Sequence, residues 1–376
     1  MNEIHIESSY QDKETITLKL KTPKELKEYL DKYVIGQEKA KRTLCTAVYN
    51  HYKRLYLNTQ TSLKDPIDKS NVILLGPSGC GKTYMVKLLA DFIGVPYYIG
   101  DATSITQAGY VGDDVETLLV GLLRACDYDI NHAQCGIVFI DEVDKLAKRN
   151  SGPNLSGKDP VGEGVQQALL KIVEGNVVGV PPQGGRKHPE QPLTYIDTSN
   201  ILFIGSGSFA GIEDIVRQRV KPNGKIGFNS SDDSDENFTD ETLYEYVCQE
   251  DMKKFGFIPE FIGRFPIIAN VNPLTKEELC KIISEPENNI LSQYATLFSV
   301  DDITLQISNQ AIETIADFAI KLKTGARAIR SLLECVMEDY MFDAPGSNIK
   351  TVAINSEYVK EKLDIRYKNI KSDKDK

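Results

Sequence analysis

Asn71-Val-Ile-Leu-Leu-Gly-Pro-Ser-Gly-Cys-Gly-Lys-Thr83 is the stretch whose reading decides the fold. Val72–Leu75 is a four-residue apolar run of the length of a short buried strand. Gly76–Thr83 fits G-x-x-x-x-G-K-[ST], and Met85, Leu88, Leu89 and Phe92 then recur at helical spacing. Strand, glycine loop and helix together are the context that makes this pattern a phosphate-binding loop. Glycines let backbone N–H groups fold round phosphate oxygens, and the helix N-terminus adds the positive end of its dipole. Gly76, Pro77, Ser78, Gly79, Cys80, Gly81, Lys82, Thr83 and Tyr84 are therefore the expected nucleotide contacts. Lys82 is placed to reach the β- and γ-phosphates and Thr83 to ligate Mg²⁺.

Downstream, Gly136-Ile-Val-Phe-Ile-Asp-Glu142 is an apolar run that ends in two carboxylates, the form of a Walker B strand. Paired with the loop upstream, Asp141 is expected to hold the Mg²⁺ shell and Glu142 to orient the attacking water. Val95–Ile99 and Asn200–Ile204 read as further strands, the latter ending at Gly205-Ser-Gly-Ser208. Helical patterns fall over Asp114–Cys126 and on Val165, Ala168, Leu169, Ile172 and Val173. Apolar strands alternating with amphipathic helices predict a parallel α/β sheet.

Upstream, Thr22-Pro-Lys-Glu25 opens a helix with a capping box and proline at its first position. A second helix runs to about Leu57. Between them, Val34 and Ile35 can pack on an adenine ring or join the core. Beyond Asn272-Pro273 the character changes. Thr275–Glu278 is another capping box opening a long helix, Ile303–Ile307 reads as a strand, and Ala326, Ile329, Leu333, Val336 and Tyr340 stripe a later helix. The expected organisation is a flexible arm at 1–21, a large nucleotide-binding domain at 22–272, a smaller and mainly helical domain at 273–365, and a charged tail at 366–376.

The 376 residues are 41% hydrophobic and 26% charged, a globular composition. No apolar run approaches the ~18 residues of a membrane span, and the N-terminus resembles no targeting signal. Seven scattered cysteines without C-x-x-C point to reduced thiols in a cytoplasm-like compartment. A net charge of −10 weighs against a non-specific nucleic-acid partner.

The ordered set of motifs is more specific than any one of them. Tyr33–Gln37, Gly76–Thr83, Gly109-Tyr-Val-Gly112, Ile140–Glu142, Gly162–Leu170, Arg186-Lys-His188, Ile226-Gly-Phe228, Pro259–Pro266 and Thr324–Arg327 together resemble the ClpX family of AAA+ unfoldases over about residues 22–365. The resemblance implies an AAA+ P-loop fold and a homo-hexamer that hydrolyses Mg-ATP. Protein substrates with unstructured tails would be unfolded through an axial pore and passed to a ClpP-type peptidase. It assigns Val34 and Ile35 to the nucleotide, Tyr110 and Val111 to gripping substrate, and Arg186, Lys187 and His188 to the pore entrance. Ile226, Gly227 and Phe228 fall to peptidase docking, Arg264 to a trans-acting arginine finger, and Arg327 to a sensor-2 arginine. Residues 149–160 match a second pore loop only as a region. The sensor-1 position stays open between Ser206 and Ser208.

Two departures stand out. No cysteine precedes Cys45, so the family's N-terminal zinc module, and zinc with it, is not expected. Cys80 occupies a loop position where the family more often has serine. Walker motifs alone fit a nucleic-acid motor equally well, and the same engine without a peptidase is a free-standing remodeller. The Gly-Tyr-Val-Gly and Ile-Gly-Phe loops weigh against these two readings.

Overall fold

The computed structural model describes residues 3–6, 16–60, 66–106, 114–147, 160–181, 192–220 and 243–367. They form two compact units. The first comprises Met1–Glu28, Glu38–Gly76 and Lys82–Asn272; the second comprises Tyr29–Gln37, Pro77–Gly81 and Pro273–Lys376.

The chain enters through an antiparallel strand pair, β1 (Glu3–Ile6) and β2 (Ile16–Lys19), with Ile4 opposite Leu18. The sequence reading has an irregular arm here. The difference lies in the alternation of Ile4-His-Ile6 and Ile16-Thr-Leu18, two-residue periods too short to stand out from a polar segment. Helix α1 (Pro23–Asp31) follows, and its capping box is formed: Thr22 N–H donates to Glu25 Oε2 at 2.7 Å, and Glu25 N–H returns to Thr22 Oγ1 at 3.3 Å. Helix α2 (Glu38–Gln60) leads to the sheet of the first unit.

That sheet and its connections are β3 (Val72–Leu75), α3 (Lys82–Ile93), β4 (Tyr97–Asp101), α4 (Thr117–Ala125), α5 (Ile130–Ala133), β5 (Ile137–Asp141) and α6 (Pro160–Val173). The chain continues through the antiparallel pair β6 (Val177–Val180) and β7 (Thr194–Asp197), then β8 (Leu202–Gly207), α7 (Ile212–Val220), α8 (Gln249–Phe255), α9 (Pro259–Gly263) and β9 (Ile267–Asn270). Five strands are hydrogen-bonded in the order β4–β5–β8–β3–β9, and every pairing is parallel. Parallel strands with both faces covered need continuous apolar runs, which is what β3 and β5 supply. Leu118, Leu119 and Leu122 of α4 and Val165, Leu169 and Ile172 of α6 share one core with Ile73, Val138, Ile140 and Phe203 of the sheet.

Three element boundaries differ from the sequence reading. Strand β4 starts two residues late because Pro96 has no N–H for the ladder, while Val95 N–H is taken by Ala90 O at 3.1 Å. Helix α4 begins at Thr117, after a turn closed by Thr117 N–H on Asp114 O at 2.9 Å. Strand β8 does not stop at Gly205. It runs through Gly207, because Gly205, Ser206 and Gly207 continue in register with Ile73, Leu74 and Leu75. A side chain at Gly207 would press on Asp144 Oδ1 and the Phe209 ring, so a residue type that reads as a turn is here required inside a strand.

The second unit holds α10 (Lys276–Ser284), α11 (Ile290–Ser299), β10 (Thr304–Ile307), α12 (Asn309–Lys321), α13 (Arg327–Asp343), β11 (Thr351–Ile354) and α14 (Ser356–Arg366). The capping box of α10 is formed between Thr275 and Glu278, yet the helix stops after nine residues, ahead of Pro286. β10 and β11 pair in parallel, with Val352 and Ile354 in a core shared by Leu279, Ile315, Leu333 and Leu363. Strand β11 and helix α14 have no counterpart in the sequence reading: Thr351–Ile354 alternates exposed and buried over only four residues.

None of the seven cysteines forms a disulfide, and Cys45, Cys80, Cys135 and Cys335 are buried. Among the described residues no helix is long and apolar enough to cross a membrane.

His51 lies 4% exposed under the sheet, its Nε2 2.9 Å from the Asn200 carbonyl oxygen it donates to. Burial, and then the neighbouring Arg54 charge, push its pKa down to about 3. Between that value and the ordinary 6.5 only the unfolded chain binds the proton, so stability falls as pH drops through this window. Urea midpoints measured from pH 7 to pH 3.5 are expected to decline with uptake of about one proton by this residue, and His51→Gln is expected to flatten that slope.

Candidate nucleotide-binding site

Because the sheet is parallel, the carboxyl ends of its strands share one edge, where open α/β sheets bind ligands. Leu75 at the end of β3 is level with Gly207 of β8, and Gly76 N–H extends the ladder to Gly207 O at 3.2 Å. Ile140 of β5 is level with Gly205, which puts Asp141 one step further along, level with Ser206. The glycine loop and the Asp141-Glu142 pair therefore leave the same edge with only β8 between their strands.

Within the first unit, Gly76 adopts φ +152°, and a Cβ there would overlap the Val271 carbonyl oxygen. Only glycine lets the chain turn off β3 against the segment that follows β9. Lys82 opens α3. Its side chain is 9% exposed and runs back along the loop, where Nζ donates to Gly76 O at 2.6 Å. Thr83 is half-buried beside it and Tyr84 is exposed.

Within the second unit, Gly79 and Gly81 have φ of +78° and +89°. Gly79 O accepts from Ala326 N–H at 3.0 Å, and a Cβ on Gly79 would overlap the Thr324 carbonyl oxygen. Val34, buried, approaches Gly81 with its Cγ1 4.0 Å from the position of a Cβ; Ile35 is half-buried. Cys80 is buried, its Sγ 3.9 Å from Ser78 O, and Pro77 and Ser78 lie nearer the surface. Arg327, exposed, opens α13 directly after Ala326. The predicted Val34 and Thr324–Arg327 thus lie beside the loop segment Pro77–Gly81.

At the end of β5, Asp141 Oδ1 accepts from Glu142 N–H at 3.0 Å. Glu142 has φ +57°, a left-handed conformation that costs a non-glycine residue about 1 kcal/mol or more. Its carboxylate is exposed at the sheet edge. The two serines left open by the sequence have different surroundings. Ser208 Oγ donates to Asp144 Oδ2 at 3.1 Å, whereas Ser206 Oγ is buried without a hydrogen-bond partner among the described residues. A buried hydroxyl lacking a partner is costly and marks a position to explain. Asp144 itself is buried and was not singled out in the sequence, since one acid in a short turn carries no pattern.

Arg264 caps the C-terminus of α9, away from any motif-bearing loop in sequence. Its side chain is 52% exposed; Nε donates to Glu174 Oε1 at 3.2 Å, and Nη2 forms an ion pair with the same oxygen at 3.0 Å. Its backbone oxygen accepts from Asn71 Nδ2 at 2.8 Å. Neither Asn71 nor Glu174 was legible as a partner, because both contacts join positions far apart in the chain. Tyr110 and Val111, the second-pore-loop region from 149, the tip Arg186, Lys187 and His188, and Ile226, Gly227 and Phe228 all lie outside the described residues. Among the described residues no group of three or more His, Cys, Asp or Glu side chains is arranged to hold a metal ion.

Comparison with known proteins agrees with this architecture. Residues 67–268 match the AAA domain (Cdc48 subfamily), and residues 274–352 match the C-terminal, D2-small domain of ClpB protein. The ATP-dependent Clp protease ATP-binding subunit ClpX of Treponema denticola is 50% identical over 343 residues, covering 90% of this chain and 81% of that protein. The proteins of the same name from Porphyromonas gingivalis and Bacteroides thetaiotaomicron are each 45% identical, over 359 and 348 residues, covering 95% and 92% of this chain and 86% and 82% of their own lengths. The parallel sheet, its glycine loop and the AAA match make this an AAA+ P-loop ATPase. Within that class, the chain belongs to the ClpX family.

Gly76→Ala tests the steric requirement at the start of the loop. The added methyl must displace the Val271 carbonyl, so a loss of about 1–3 kcal/mol in stability is expected. Calorimetry with and without added nucleotide should also show the ligand-induced rise in Tm shrink or vanish in this variant.

Proposed function

We propose that this ATPase is a protein unfoldase and translocase that works as a homo-hexamer and delivers its substrates to a ClpP-type peptidase. The observation that carries the reading is the convergence of the glycine loop and the Asp141-Glu142 pair on one sheet edge, in a chain about half identical to proteins named as Clp protease subunits. Backbone N–H groups of Gly76–Gly81 would cradle the phosphates of ATP, with Lys82 neutralising their charge. Val34 and Ile35 would flank the base, and Arg327 would report on the nucleotide from the second unit. Seven cysteines without a disulfide fit a reducing compartment such as the cytoplasm.

A hydroxyl at Thr83 and a carboxylate at Asp141 are hard oxygen donors of the kind Mg²⁺ prefers, so these two residues would hold it. Bound there, the ion supplies charge neutralisation on the phosphate oxygens. Glu142 follows directly on Asp141, exposed and in a strained backbone conformation, and would orient and polarise the attacking water. Arg264, half-exposed, would act on the γ-phosphate bound by the adjoining subunit, which is what calls for a ring.

The mechanical steps fall to the loops. In the sequence Tyr110 and Val111 stand between Gly109 and Gly112, and their aromatic and branched side chains would press on substrate polypeptide. Arg186, Lys187 and His188 would attract acidic substrate tails. Ile226 and Phe228 would insert in an apolar pocket of the peptidase, with Gly227 between them.

Glu142→Gln is expected to retain ATP binding while hydrolysis falls by roughly 100-fold or more; near-normal turnover would remove the assigned role. A tagged, stably folded fluorescent protein, incubated with this chain, a ClpP-type peptidase and ATP, tests the mechanical half. Fluorescence loss together with peptide release is expected for wild type, neither for Tyr110→Ala despite continued ATP hydrolysis, and fluorescence loss without peptides for Phe228→Ala. Fluorescence loss without peptides from wild type would make the protein a free-standing remodeller.

A further inference from the structure

We infer that Glu174 is a positioning residue for Arg264, holding its guanidinium in the orientation in which it serves the adjoining subunit's nucleotide; this rests on the trans role proposed above for Arg264. A single oxygen, Glu174 Oε1, accepts a hydrogen bond from Nε at 3.2 Å and forms an ion pair with Nη2 at 3.0 Å, so the carboxylate meets the guanidinium along its Nε–Nη2 edge. Nη1 makes no hydrogen bond or ion pair among the described residues and stays available. Held on this edge, the planar fork has its direction set without its donors being used up.

Both ends of the pair stand on fixed backbone. Asn71 is 1% exposed; its amide donates to Arg264 O at 2.8 Å and accepts from Phe203 N–H at 3.1 Å, tying the arginine's main chain to the central strands β3 and β8. Glu174 terminates α6 with its N–H on Leu170 O at 3.0 Å. The next residues are clamped to the turn after β7: Asn176 N–H donates to Thr198 Oγ1 at 2.9 Å, Thr198 N–H to Asn176 O at 3.0 Å, and Ser199 Oγ to Gly175 O at 3.3 Å. That turn is held in turn by Lys69, whose Nζ donates to Thr198 O at 2.8 Å, and by Arg54, whose Nη2 donates to Ser199 O at 3.0 Å.

The surroundings are cationic. Burial and then the Arg54 charge push Lys69 down to about 7, with Arg264 adding to the same effect and Asp197 opposing it. Glu174 is the carboxylate that touches Arg264 in this field. A pair this exposed contributes little to folding. Its effect is to cut the orientations open to a long side chain, which matters where charge develops in a transition state.

The test is steady-state ATP hydrolysis by the assembled full-length chain, with thermal midpoints and hexamer content measured alongside. Arg264→Ala is expected to lower kcat by roughly 1,000-fold. Glu174→Ala should lower kcat by about tenfold, with KM for ATP, midpoint and assembly unchanged. Glu174→Gln, whose amide oxygen can still accept from Nε, should keep most of the activity. In an Arg264→Ala background, Glu174→Ala should have no further effect, because the residue acts only through the arginine. Wild-type kcat in Glu174→Ala, or an equal loss in both backgrounds, overturns the positioning role while leaving Arg264 in place. Normal activity of Arg264→Ala overturns the trans reading itself, and the inference falls with it.

Discussion

The parallel ladder joining β3 to β8 and β9 is the constraint on which the site depends. It sets Leu75 level with Gly207 and Asn270, so three chain segments leave the sheet at the same height. Parallel pairing needs long crossovers, and those crossovers are the helices that bury both faces. With β5 added beyond β8, Asp141 reaches the same edge as the glycine loop. Nothing about 60 residues apart in sequence could be held this closely by local interactions; the register does it through backbone hydrogen bonds whose cost of ordering is met by the apolar burial of β3, β5 and α4.

Close packing at that edge then dictates residue type. Gly76 faces the Val271 carbonyl, and Gly207 faces Asp144 and Phe209. At Gly76, a positive φ and a backbone oxygen combine to exclude any side chain. The same crowding holds Asp144 against Ser208 and leaves Ser206 with an unmatched buried hydroxyl level with Asp141. Strain at Glu142 belongs with these. A left-handed acid, a buried hydroxyl without a partner among the described residues and a positive-φ glycine lie along this sheet edge, and such departures persist only where the surrounding fold over-determines them.

Arg264 shows how a residue distant from the loop enters the same system. Its main chain is bound by Asn71, the residue directly before the glycine-loop strand, and its side chain by Glu174 at the end of α6. Asn71 also accepts from Phe203 N–H, so one buried amide registers α9, β3 and β8 together. The backbone of the arginine is therefore hydrogen-bonded directly to the residue that precedes β3.

Sequence by itself determined the nucleotide loop, the acidic strand end and the alternation that makes the sheet parallel, because each is written in contiguous residues with a physical period or a required glycine. Helix starts at Thr22 and Thr275 were legible for the same reason: a capping box is a four-residue pattern. Only tertiary structure decided that β8 runs through two glycines and that β11 exists, since each depends on a partner strand remote in the chain, and that β1 and β2 pair, since their alternation is too short to read. Only it separated Ser206 from Ser208, and only it brought Asn71 and Glu174 to Arg264. Local patterns encode what a segment will form; which segments meet is settled by long-range packing and register, where a single carboxylate or amide leaves no periodic trace.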